Sequence, residues 1–121
     1  IPNPWDVGSA RWLQGLGFKA LATTSSGFAW SRARPDNGIT RDMALTHLAE
    51  MVSATDVPIN ADFESGFADS AAGVQESVRL ALGTGVAGLS IAYHSKPAVR
   101  DRAMLSITAG GMERALRVFG L

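Results

Sequence analysis

Val57-Pro58-Ile59-Asn60-Ala61-Asp62-Phe63-Glu64-Ser65-Gly66-Phe67 is the stretch whose reading decides the fold. Its body is apolar. It ends in two carboxylates, Asp62 and Glu64, with Gly66 close behind. A buried parallel strand reads this way, apolar inside and polar where it leaves the sheet. Side chains two apart on a strand share a face, so Asp62 and Glu64 are expected to converge at its carboxyl end. That edge is where open α/β sheets and (β/α)8 barrels place ligands. Two hard oxygen donors there suit Mg²⁺, which takes one or two protein carboxylates plus waters and substrate oxygens. The plainer alternative is a pair of solvated loop acids.

Working outward, three strands and three main helices alternate with short connections. Strands are expected at 18–23, 57–62 and 86–91, and helices at 6–16, 40–54 and 70–83. Asp6 or Ser9 can cap the first helix, which shows Trp12, Leu13 and Leu16 on one face. The second carries Met43, Ala44, Leu48, Met51 and Val52, and the third Val74, Val78, Leu80 and Leu82, at helical spacing. His47, alone in its helix, reads as a surface or edge residue. Strand and helix in alternation mean βαβ units and a parallel sheet. Pro2 and Pro4 forbid a helix interior, so residues 1–4 read as the tail of a further strand or a tight entry loop.

Between the strand at 18–23 and a short helix expected next lie Thr24, Ser25, Ser26 and Gly27. Small hydroxylic residues before a glycine can cradle a carboxylate or phosphate through backbone N–H groups and hydroxyls. They can equally be plain helix caps.

The chain has 121 residues, 46% hydrophobic and 18% charged, with net charge +0. That is the composition of one globular domain with a modest core. Net neutrality gives no support for nucleic-acid binding. No apolar run approaches the roughly 20 residues of a membrane helix, and no signal-peptide pattern is visible, so a cytoplasmic location is expected. There is no Cys, which excludes disulfides, thiolate metal sites and Cys nucleophiles. Charge is uneven. Residues 1–91 hold 6 Lys/Arg against 9 Asp/Glu, and residues 92–121 hold 5 against 2. The chain therefore divides into 1–91, the (β/α) units, and a basic tail at 92–121. Val99 to Phe119 is expected to be helical, interrupted at Gly110-Gly111, with Leu105, Met112, Leu116 and Phe119 on one face.

Five blocks resemble one family. They are Asn3-Pro4-Trp5-Asp6-Val7-Gly8-Ser9-Ala10-Arg11, Gly17-Phe18-Lys19-Ala20-Leu21-Ala22-Thr23-Thr24-Ser25, Pro35-Asp36-Asn37-Gly38, Asn60 through Phe67, and Gly85-Val86-Ala87-Gly88-Leu89-Ser90-Ile91. Their order and spacing resemble the isocitrate lyase/phosphoenolpyruvate mutase superfamily, nearest its phosphonomutase-like and methylisocitrate-lyase-like members. The resemblance covers residues 1–91. It implies a TIM-type (β/α)8 barrel, usually in tetramers that exchange a C-terminal helix, and a homo-oligomer, dimer or tetramer, is expected here. It also implies Mg²⁺-dependent making or breaking of a C–C or P–C bond in a small 2-oxo or 2-hydroxy acid, through an enolate-like intermediate. By the same resemblance Thr24, Ser25, Ser26 and Gly27 hold the substrate carboxylate, and Asp36 lies near metal and substrate. Asp62 is the principal metal carboxylate, and Glu64 stands where a second, usually Asp, belongs.

The sequence also departs from the family. A Glu-Asp pair is expected directly after Ile91, where Ala92 and Tyr93 stand. The catalytic loop that should follow is not recognisable, so His94 and Lys96 inherit no role and the catalytic residues are not assigned. A full barrel needs about 200 residues, and this chain has room for about half. Three arrangements would account for that: parts of a longer protein joined across gaps, a truncation or fusion to an unrelated tail, or a half-barrel that pairs with another chain. The first is expected, because a split parallel sheet would leave an apolar edge exposed. The competing functional expectation is a non-catalytic partial barrel that works only within an assembly.

Overall fold

The computed structural model describes residues 1–92 and 104–107. Its elements, in chain order, are α1 (Val7–Gly15), β1 (Leu21–Ala22), α2 (Ser25–Ser31), α3 (Arg41–Ala54), β2 (Ile59–Asp62), α4 (Ala71–Gly83), β3 (Gly88–Ala92) and β4 (Met104–Ile107). They form one sheet in the order β1-β2-β3-β4. β1 pairs parallel with β2, Leu21 opposite Ile59, and β2 pairs parallel with β3, Asp62 opposite Ser90. The carboxyl ends of all three face one side, as parallel strands joined by helical crossovers require. This is the α/β barrel architecture, part-built and not closed.

Each helix begins where its side-chain chemistry says it should. Asp6 caps α1 and accepts from Ser9 N–H, while the Ser9 hydroxyl accepts from Asp6 N–H. Thr40 caps α3 through Met43 N–H, and Ser70 caps α4 through Gly73 N–H. Such caps satisfy donors that have no partner in the first turn, worth about 1 kcal/mol each.

Strand alternation sorts the two faces of the sheet. Ile59, Ala61 and Phe63 turn to the helices and are buried, with Leu21, Leu89 and Ile91 beside them. The core there gathers Leu48 of α3, Val74, Val78 and Ala81 of α4, and Phe28 and Ala29 of α2. A second, smaller cluster joins Ala10, Leu21, Met51 and Ile59. Asn60 and Asp62 lie on the opposite face, only partly buried. The Asn60 amide donates to the Ser90 hydroxyl across that face (2.9 Å). The chain start also meets the sheet, since Ala22 N–H donates to the Pro2 carbonyl (3.0 Å).

Four expectations change. The sequence pattern puts Met104–Ile107 in a helix from Val99 to Phe119, but it is a strand paired antiparallel to β3, Ile107 opposite Leu89. An edge of unpaired N–H and C=O groups offers a short apolar segment backbone partners that outweigh helix propensity. The other residues of that expected helix lie outside the described residues, as do Tyr93, His94 and Lys96. Trp12 in α1 and Leu16 at its C-cap are exposed, and Ala10 is buried. Arg11, donating to the Ala54 carbonyl, and Gln14, bonded to Asp56, fix the rotation of that helix. In α4, Leu80 is 39% exposed, and Ser77 with Ala81 complete the inner face. Finally, His47 is buried, with its ring stacked on Phe28 at 3.8 Å. Among the described residues no helix is long and apolar enough to cross a membrane.

Candidate functional site at the carboxyl edge of the sheet

At its carboxyl end β2 is tied to the segment leading into α2. Thr23 N–H donates to the Asn60 carbonyl (2.9 Å), and the buried Thr23 hydroxyl accepts from Asp62 N–H (3.0 Å). Ser25 then gives both its N–H (3.0 Å) and its hydroxyl (2.9 Å) to one oxygen of Asp62, Oδ2. No described residue bonds Asp62 Oδ1.

Glu64 leaves the strand in the left-handed region, φ 49. Phe67 (φ 57) and Gly66 (φ 82) continue that tight turn. A Cβ at Gly66 would meet Val74 Cγ1 at 3.0 Å, so glycine is needed both for conformation and for space. Beneath the turn Phe63 is fully buried, edge-on to Phe67 at 5.0 Å between ring centres. Glu64 is thus drawn in from solvent. It is 9% exposed, and its Oε1 is buried with no hydrogen-bond partner. Burial pushes its carboxyl up from 4.5 to about 7, and the charges of Asp62 and Asp36 push the same way. Asp36, 28 positions earlier in the chain, and Asp62 thus both act on Glu64. Asp36 sits on an exposed loop, where its Oδ1 accepts from Asn37 N–H (3.0 Å).

The four residues expected to form a cradle are divided. Ser25 turns to Asp62. Thr24, Ser26 and Gly27 line a cavity of about 430 Å³ with Trp5, Trp30 and Ser31. Thr24 caps α2, accepting from Gly27 N–H (3.3 Å), and its hydroxyl meets that of Ser26 at 3.2 Å. A Cβ at Gly27 would lie 3.0 Å from Trp5 Cβ and 2.8 Å from Thr24 Cγ2, so the close approach of Trp5 depends on the glycine.

Among the described residues no three of His, Cys, Asp and Glu stand close enough to hold a metal ion directly. Mg²⁺ does not need three, because it keeps several waters and is commonly held by one or two carboxylates with substrate oxygens. A carboxyl group with a buried, unpartnered oxygen beside a second carboxylate offers hard oxygen donors, so the residues present fit a hydrated Mg²⁺.

The model of the family described as phosphoenolpyruvate phosphomutase matches residues 1–113. The chain belongs to that family. The match runs past Ile91, where the recognisable motifs stop. Among solved structures, a Burkholderia cenocepacia J2315 protein provisionally described as a lyase/mutase is 47% identical at a TM-score of 0.76, covering 88% of this chain and 38% of that one. A phosphonopyruvate hydrolase in complex with oxalate and Mg²⁺ is 21% identical at a TM-score of 0.69, covering 73% of this chain and 31% of that one, a likeness of fold. A curated protein of Polaromonas sp. (strain JS666 / ATCC BAA-500), named phosphoserine phosphatase, is 56% identical over 34 residues, 14% of its length. The chain thus spans a minor part of each of these relatives.

Sequence reasoning misses Thr23, Trp5 and the Asn60–Ser90 bond. Period-two alternation could find the last, since Asn60 shares the face of Asp62. Thr23 and Trp5 give no local signal, because only the fold sets them beside Asp62 and Gly27.

Proposed function

We propose that this chain carries part of the active site of a Mg²⁺-dependent lyase or mutase. The reaction would make or break a C–C or P–C bond in a small 2-oxo or 2-hydroxy carboxylic acid. The observation that carries the proposal is Glu64, buried and unpartnered beside Asp62 at the carboxyl end of a parallel sheet. Family membership supports the reaction class. The cofactor is in keeping with the Mg²⁺ and oxalate held by the phosphonopyruvate hydrolase, a protein of the same fold.

When bound, Mg²⁺ would act as a Lewis acid toward charge developing on the oxo oxygen. Asp62 and Glu64 would hold it, mostly through waters, and Asp36 would complete the acidic surround. Ser25 N–H and Gly27 N–H are already engaged, and the Thr24 and Ser26 hydroxyls share one hydrogen bond, which leaves one hydroxyl proton of that pair to donate to a substrate carboxylate. The test is pyruvate or oxalate release by the full chain with Mg²⁺ and with EDTA. Activity that needs Mg²⁺ and disappears in Asp62→Ala is expected. Mg²⁺-dependent activity that survives Asp62→Ala would refute the site.

A second reading rests on Ala92-Tyr93, which stand where the family expects an acidic pair. In that reading the chain is a non-catalytic partial barrel that works only in an assembly. It predicts no turnover and no Mg²⁺ binding, and an intact mass near 12.7 kDa for the natural polypeptide. Both readings expect a homo-oligomer, a dimer or tetramer. The exposure of Trp12 (72%) and Trp30 (67%) supports this, since large aromatics are favoured at interfaces. Light scattering at micromolar concentration measures it directly.

A further inference from the structure

Ser25 belongs with the metal-site carboxylate and not with the substrate anchor. We propose that Ser25 is a positioning residue for Asp62, an inference that rests on the reading of Asp62 as the metal carboxylate. Two donors from one residue, the backbone N–H at 3.0 Å and the hydroxyl at 2.9 Å, converge on Oδ2. They fix the rotation of the carboxylate and occupy one oxygen, so Oδ1 is the oxygen left to face a cation or its waters. The main chain beneath is fixed independently, by Thr23 N–H to the Asn60 carbonyl and by Asp62 N–H to the Thr23 hydroxyl. The seat of Asp62 is therefore built from residues 37 and 39 positions earlier in the chain.

The neighbours of Ser25 do something else. Thr24, Ser26 and Gly27 line the cavity with Trp5 and Trp30, and Ser25 is not among its walls. The backbone divides the segment, so that the Ser25 hydroxyl serves the carboxylate of the protein while the Thr24 and Ser26 hydroxyls, bonded to each other, line the cavity. Carboxylates that meet a metal are commonly hydrogen-bonded in turn, and losing such a partner typically weakens metal binding 10–100-fold. In Ser25→Ala the backbone donor survives, so the effect belongs at the low end of that range.

The experiment uses the full chain with Mn²⁺ as the probe, counting free Mn²⁺ by electron paramagnetic resonance, and oxalate as the carboxylate probe at saturating Mn²⁺. Ser25→Ala is expected to weaken Mn²⁺ binding about 10-fold while oxalate affinity changes less than about twofold, and Ser25→Thr is expected to restore Mn²⁺ binding. Ser26→Ala should show the opposite division. Unchanged Mn²⁺ affinity in Ser25→Ala with weakened oxalate binding makes Ser25 a substrate anchor and overturns the inference. Asp62→Asn separates the two levels. If it binds Mn²⁺ as well as the unaltered chain does, the metal-site reading itself has failed and the role of Ser25 falls with it. If Asp62→Asn abolishes binding while Ser25→Ala binds normally, only the role of Ser25 is wrong. Circular dichroism checks folding. Should Ser25→Ala unfold, Ser25→Cys, similar in size with a weak donor, supplies the same comparison.

Discussion

Two side-chain atoms in this molecule are buried with no hydrogen-bond partner among the described residues, Glu64 Oε1 and His47 Nε2. Both groups are held toward their neutral forms, for the same first reason. Burial raises Glu64 to about 7 and lowers His47 to about 4. Their surroundings then diverge. Glu64 has two further carboxylates acting on it, Asp62 and Asp36, on a left-handed turn at the open end of the sheet. His47 lies flat on Phe28 between α2 and α3, with Arg32 opposing its charged form and Asp6 favouring it. Like charges gathered around a buried acid make a field that a cation would relieve, as the proposed metal site requires. A neutral ring stacked on another ring calls for nothing more. An unsatisfied polar atom thus points to a ligand only where the field around it is also unbalanced.

The largest effects should come from removing what each group rests on. Phe63→Ala, under the Glu64 turn, is expected to cost about 4 kcal/mol, and Phe28→Ala, under His47, about 3 kcal/mol. Urea denaturation measures both. Near-equal losses would fit two structural seats. If Phe63→Ala also abolishes Mg²⁺ binding and Phe28→Ala does not, the contrast sharpens.

Acidity should separate the groups next. The folded-state value of His47 is depressed, so its contribution is present above pH 6.5 and is lost as pH falls through about 4. That loss should amount to at most about 3 kcal/mol and vanish in His47→Phe, which keeps the stack. An equal acid loss in His47→Phe would assign the effect elsewhere.

Glu64 runs the other way. Its folded-state value is raised, so its contribution is present below pH 4.5 and is lost as pH rises through about 7. Mg²⁺ should restore stability at pH 8, by about 1.4 kcal/mol at ten times Kd, and Glu64→Gln should gain much less. A Mg²⁺ gain that is intact in Glu64→Gln would remove Glu64 from the metal site.

The smallest effect belongs to Arg32. Its guanidinium lies over the Phe28 ring, 5.3 Å from the centre, and holds His47 down. Arg32→Ala should move the His47 titration upward by NMR and change stability within about 0.5 kcal/mol. A downward movement would show that the charge of Arg32 does not reach the imidazole.

Much of this fold is legible in the amino-acid sequence, for local reasons. α3 and α4 announce themselves by spacing and by the caps Thr40 and Ser70. β2 announces itself by an apolar body ending in Asp62. What the sequence hides depends on contacts between distant segments. Nothing local ties Ser25 to Asp62, 37 residues away, or turns Glu64 into a left-handed bend. The burial of His47 follows from where Phe28 lands. β4 looks helical in the sequence because Met104, Leu105 and Ile107 fit either period, and only the exposed side of β3 decides between them.

That fourth strand has a consequence for how such a fold could grow. β4 runs against β3 from Met104 to Ile107 and occupies the rim where another parallel strand would have to dock. Completing a parallel barrel on that side is therefore a displacement reaction and not a simple addition. An incoming strand must outcompete a latch already tethered to the sheet by a short stretch of the same chain. Tethering gives the latch a high effective concentration, so the exchange favours a competitor that is itself attached to the same polypeptide.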